Sequence, residues 1–112
     1  MNDACLPVFL VRTVDGEEEW WEFVAASDRK AALAEGAIPL DTYARDQKPR
    51  YYVRAVDWQG GFGVSRKQAT VYADKPRNLN GAELAALGWK LCPECEGYVR
   101  IEGHKCEAME DA

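Results

Sequence analysis

Apolar residues recur along this chain first with a period of two and then, briefly, with the spacing of a helix. Pro7 to Val14 (Pro-Val-Phe-Leu-Val-Arg-Thr-Val) is apolar and β-branched, and Asp15-Gly16 follows at once, a dipeptide that tight hairpin turns favour because it tolerates positive φ. Glu19 to Ala26 resumes the strand composition, and alternation puts Trp21, Phe23 and Ala25 on one face and Trp20, Glu22 and Val24 on the other. This predicts a hairpin whose Trp21 face is the more apolar. Ser27 or Asp28 then caps a short alanine-rich helix over residues 29–35, which Gly36 ends in the left-handed conformation. Its small side chains let it lie across the hairpin's apolar face. Residues 37–50 contain Pro39 and Pro49 and read as a connection.

A second alternating run, Tyr51 to Trp58, predicts a third strand. Gln59-Gly60-Gly61 supplies a turn, and Phe62 to Ala73 a fourth strand interrupted near Lys67-Gln68. Two hairpins flanking a helix give ββαββ, and one antiparallel sheet with the helix packed on it buries both apolar faces, so the expected class is α+β. Lys75 to Leu79 punctuates the chain and divides it into a body, residues 1–78, and a second segment, residues 79–112. In the latter, Asn80 and Glu83 have capping-box spacing before a short helix from Gly81 to Leu87 that Gly88 stops.

Composition narrows the function classes. With 112 residues the chain has room for one main core, and 47% hydrophobic residues suffice to fold it. A net charge of −5 argues against a protein whose affinity comes mainly from neutralising phosphates. No stretch approaches the ~18 apolar residues of a membrane span, and Met1 to Ala4 has neither the basic start nor the apolar run of an export signal. The expected location is the cytoplasm, where the four cysteines would stay reduced.

Three of those cysteines and the only histidine fall in the last quarter of the chain. Cys92-Pro93-Glu94-Cys95 lets two thiolates of one turn face a single ion, and His104-Lys105-Cys106 can offer two more donors from one face of a strand. Cys92, Cys95, His104 and Cys106 thus form a candidate Cys₃His site for structural Zn²⁺, all-protein and closed to water chemistry. Cys5 in place of His104 is an alternative that needs a long-range closure. The Cys92 to Cys95 turn resembles the first knuckle of zinc-ribbon and rubredoxin-like modules, over residues 89–106 only. It departs from that pattern where His104-Lys105-Cys106 stands for a second Cys-x-x-Cys. The resemblance implies a small zinc knuckle and carries over no function. A thioredoxin-type redox pair would open a helix, whereas Glu96-Gly97 and the strand-like Tyr98 to Ile101 follow here.

Trp20, Tyr51, Tyr52, Trp58, Phe62 and Tyr72 lie on predicted strands beside Arg54, Arg66, Lys67, Lys75 and Arg77. In so short a chain most of these rings are expected in the core, and an exposed one marks a protein contact. Trp20, Trp58, Arg54 and Arg66 are the candidate partner-binding residues. Glu17 to Glu19 and the tail from Glu107 to Asp111 are acidic runs suited to solvent or to a basic partner. No Ser/His/Asp set, phosphate-cradling glycine loop or catalytic carboxylate pair is present. The expected function is non-enzymatic: a zinc-clipped protein-interaction module or modulator, of the kind that phages and other mobile elements encode to inhibit a host nucleic-acid enzyme. The rival expectations are a nucleic-acid-binding zinc protein using Lys90, Arg100 and Lys105, and a thiol redox protein.

Overall fold

A computed structural model describes residues 5–15, 18–37, 49–62, 67–92 and 97–102. It is α+β with antiparallel strand pairing. The order is β1 (Cys5–Asp15), β2 (Glu18–Ala25), α1 (Arg29–Gly36), β3 (Arg50–Ala55), β4 (Thr70–Tyr72), β5 (Arg77–Asn78), α2 (Gly81–Ala86), β6 (Trp89–Cys92) and β7 (Gly97–Arg100). The first hairpin forms, and Asp15 belongs to its ladder rather than to its turn: the register runs from Val8 opposite Ala25 to Asp15 opposite Glu18. Its connection and residues 38–48 lie outside the described residues.

The second hairpin is where the architecture departs from expectation. β3 pairs with β1 from Phe9 to Val14, and β4 pairs with the same edge of β1 from Cys5 to Pro7. The two share that edge in succession and meet each other at the Asp57–Gln68 bridge. Val8 is the fork: it donates to Ala69 O at 2.9 Å and accepts from Val56 N at 3.0 Å, while Ala69 N reaches Val56 O at 2.8 Å. A strand as long as β1 offers more backbone partners than β3 can use, and β4 takes the remainder. On the other edge, β5 covers only Val24 and Ala25 of β2.

The sheet is apolar on both faces. Phe9, Val11 and Val24 pack on Ala32 of α1, so the helix covers this face rather than the Trp21 face. Asp28 caps it by accepting from Ala31 N. Gly36 is not in the left-handed region; its role is contact, since a Cβ there would lie 2.9 Å from Val11 Cγ2 and 3.1 Å from Val24 Cγ1. The Trp21 face, with Val8, Leu10, Phe23 and Ala25, needs a larger cover than a short alanine-rich helix can give. Leu79, Leu84, Leu87 and Trp89 supply it, so this cluster crosses the boundary expected near residues 75–79.

Trp89 sits at the middle of that cluster. Its ring centroid is 5.3 Å from Phe23, 5.7 Å from Trp21 and 5.9 Å from Phe62. Its Nε1 donates to Gly60 O at 3.0 Å, so the one polar atom of the indole is satisfied in the interior. Gly60 reaches that position with φ +80°, and a Cβ would lie 2.3 Å from Leu87 O. Arg100 lies over the outer face of the indole, 5.1 Å from its centroid, and donates to Gln59 O at 3.0 Å. Trp89→Ala is expected to cost about 3–5 kcal/mol by removing the centre of this cluster. Urea unfolding checks it, with exposed Lys90→Ala expected to stay within about 0.5 kcal/mol of the parent.

Candidate functional site

β6 and β7 pair from Trp89 opposite Arg100 to Cys92 opposite Gly97. Cys92 is therefore the last paired residue of β6, buried, and Pro93 to Glu96 is the whole connection to β7. The hairpin is held at its base by Trp89 and along its length by Tyr98, whose ring meets Phe23 edge-on at 5.2 Å. Burial pushes the Tyr98 hydroxyl above its usual range, with the nearby Glu22 adding to the effect. Cys95, His104 and Cys106 lie outside the described residues. Among the described residues no three potential ligands gather at one point. Cys5 opens β1, exposed and opposite Tyr72.

The aromatics sort differently from expectation. Tyr51, Tyr52, Trp58 and Tyr72 are exposed rather than core, Tyr72 at 67%. The rings that fill the core are those whose register turns them toward α1 or toward Trp89. Tyr51 and Tyr52 lie on β3, where α1 covers Val53 and leaves both rings exposed, and Tyr72 lies on β4. Trp58 tops a tight turn built by Asp57, whose buried carboxylate accepts from Gln59 N and Gly61 N, both at 2.9 Å. The carboxylate fixes the turn and leaves the indole outside.

The described candidate partner-binding residues, Trp20, Trp58 and Arg54, line three different depressions. Trp58 borders a shallow depression with Lys67, while Arg54 borders another with Arg29, Tyr52 and Phe62. Trp20, half-buried, lines a third, and Arg66 lies outside the described residues. Arg50, Tyr52 and Arg54 share one face of β3 by alternation, and Arg12 lies 5.2 Å from the Tyr52 centroid. Arg12 is held there from the other side by Glu19, which accepts its Nε at 2.7 Å and also accepts from Trp21 Nε1. The bond to Arg12 lowers the Glu19 carboxyl from its usual range.

The third depression is the largest of these, a cleft of about 500 Å³ between Glu19 to Glu22 of β2 and Leu91, Gly97 and Tyr98 of the β6–β7 hairpin. Glu22 accepts from the Asn78 side-chain amide at 2.8 Å, and burial pushes its carboxyl above the usual range. α2 is fixed by an arrangement that the spacing of Asn80 and Glu83 shows only in part. The capping box forms, and Arg77 makes a two-pronged bond to the same Glu83 carboxylate at 2.7 and 2.8 Å. Arg77 reaches it because β5 pairs with β2, a placement no local signal carries.

Comparison with protein-family models, with curated proteins and with solved structures returns no match. Among the described residues no helix is long and apolar enough to cross a membrane.

The bond to Arg77 holds the Glu83 carboxyl below its ordinary value of 4.5. A lowered carboxyl adds stability that is present above its unfolded value and lost as pH falls through its folded one. Glu83→Gln is expected to cost about 1 kcal/mol at neutral pH through the weakened cap and ion pair. The gap should narrow as pH drops below about 4, which thermal melts across pH 3–7 would show.

Proposed function

We propose that this protein is a small non-enzymatic interaction module whose β6–β7 hairpin is clipped at its tip by a structural Zn²⁺. The observation that carries the interaction reading is the exposure of Tyr51, Tyr52, Trp58 and Tyr72 on paired strands and a tight turn. A chain of 112 residues that needed these rings for stability would bury them. Held outward on rigid elements, Trp, Tyr and Arg side chains are the usual anchors of protein contacts. Occlusion of a partner's surface is the mode of action this supports, and a host nucleic-acid enzyme is the proposed target class.

The proposed metal ligands are Cys92, Cys95, His104 and Cys106. Cys92 ends a strand at the foot of a connection only four residues long that contains Cys95, a spacing that suits two thiolates of one turn. With four protein donors the ion would hold structure and leave no position for substrate. Purified protein is expected to contain one zinc per chain, and Cys95→Ser to lose it. Because Trp89 anchors the base of the hairpin in the core, chelation should loosen the hairpin tip and leave the sheet folded, as amide exchange would record. Absence of stoichiometric zinc in protein purified under reducing conditions would sink the metal assignment.

One observation favours a second reading. The Arg50, Tyr52 and Arg54 face of β3, with Arg12 beside it, combines exposed cations with a ring on which a base could stack. Affinity purification from the native host separates the two. The leading reading predicts a stoichiometric protein partner whose capture survives nuclease and falls at least about tenfold with Trp58→Ala. Nuclease-sensitive capture, with salt-dependent binding to single strands that Arg54→Ala weakens, would support the nucleic-acid reading instead.

A further inference from the structure

The cleft beside β2 has a property that the exposed rings lack. Four consecutive residues, Glu19, Trp20, Trp21 and Glu22, all line it, although neighbours on a strand point to opposite faces of the sheet. An opening along the backbone edge of β2 touches both sets. The hydrogen bonds agree. Ala26 N donates to Pro7 O of β1, and Phe23 O accepts from Leu79 N on the opposite side. Even-numbered residues of β2 thus direct their peptide groups to β1 and odd-numbered ones direct theirs outward. The N–H and C=O groups of Glu19 and Trp21 therefore face the cleft. β5 covers the edge only at Val24 and Ala25, and no other described strand pairs with β2 there.

We propose that this cleft is a strand-docking site that takes an extended lysine- or arginine-bearing segment of a partner protein as an additional strand on β2. The proposal rests on the reading of the protein as an interaction module and names the surface and the chemistry of the partner. Main-chain bonds to Glu19 and Trp21 would hold the segment, as in other edge-strand recognition, and its alternate side chains would fall beside Trp20 and Glu22 on one face and Trp21 and Glu19 on the other. Leu91, exposed, and Tyr98 form the apolar far wall, suited to the aliphatic stem of a lysine or arginine.

Charge selects a basic segment over an acidic one. Glu22 has lost part of its hydration, and its partner among the described residues is a neutral amide, so an arriving cation would pair with a carboxylate that no described cation already holds. Glu19, on the other face, adds negative charge although Arg12 shares it. The net charge of −5 works in the same direction at long range.

A synthetic peptide of alternating lysine and valine tests the proposal against the whole protein at physiological salt. It is expected to bind and to protect the Glu19 and Trp21 amides from hydrogen exchange. Two controls should bind at least about tenfold more weakly: the same peptide N-methylated at alternate amides, and its glutamate–valine counterpart. Leu91→Lys, at an exposed position, should weaken binding to a similar degree with the melting temperature unchanged, and Glu22→Lys should weaken it as well, at some cost in stability from the lost bond to Asn78. Equal binding of the N-methylated peptide, or protection on β3 instead, would overturn it. So would concentration-dependent protection of these amides without peptide, which would assign the edge to a second copy of the chain. Failure here alongside a nuclease-resistant partner sensitive to Trp58→Ala removes the docking site and leaves the interaction module standing. Peptide binding without such a partner supports the site and removes the Trp58 reading.

Discussion

The indole of Trp89 is the constraint on which the rest of this structure depends. A single ring touches Trp21 and Phe23 of β2 and Phe62 beyond the turn, and its nitrogen holds the carbonyl of Gly60. It therefore connects three segments far apart in sequence: the second strand, the 57–61 turn and the C-terminal hairpin. Arg100 closes over it and bonds the same turn, so β7 is tied to the turn through the ring that β6 supplies. The fold is a five-stranded sheet with two covers, one of which includes the two-stranded β6–β7 hairpin, and Trp89 is what makes that second cover specific rather than merely apolar.

That arrangement explains why the two faces of the sheet behave differently. The α1 face is closed by small residues at short range, with Gly36 close against Val11 and Val24. The opposite face is closed by segments that cross it from one side: the Trp89 ring reaches Trp21, but among the described residues no strand pairs with the edge of β2 along Glu19 to Glu22. Leu79 leaves β2 after bonding Phe23 O, the chain turns into α2, and the hairpin returns beside β2 without pairing to it. The cleft is the gap left by that path. It arises from the short reach of β5, two residues long, and not from any local weakness of β2.

Local signals made much of this legible. The Asp28 cap, the Asn80–Glu83 capping box and Gly88, with φ +84°, each act within a few residues and each stands as the sequence implies. The pairing of β4 was not legible, because Thr70 to Tyr72 follows a turn that suits a hairpin, and nothing nearby shows that Val8 accepts from Val56 while donating to Ala69. Nor was the choice of covering face, because Trp21 and Val24 both look buried and only the sizes of the covers decide between them. Tyr51 and Tyr52 have the composition of core strand residues; their exposure follows from β3 ending the sheet order. For the candidate site, the sequence marked Trp20 and Trp58 individually, while the edge that gathers Trp20 with Glu22 and Tyr98 exists only in the folded chain.

The cysteine segment takes a different meaning from this geometry. A clip on an independent appendage would stabilise only the appendage. Here Cys92 ends the strand that Trp89 begins, and Gly97, opposite Cys92, is itself part of the cleft wall. The hairpin is already held against β2 by the Trp89 indole and the Tyr98 ring, so an ion bound by Cys92, Cys95, His104 and Cys106, none of them on β2, would stiffen the tip itself. The proposed zinc would then support the Gly97 end of the cleft wall without touching what enters the cleft.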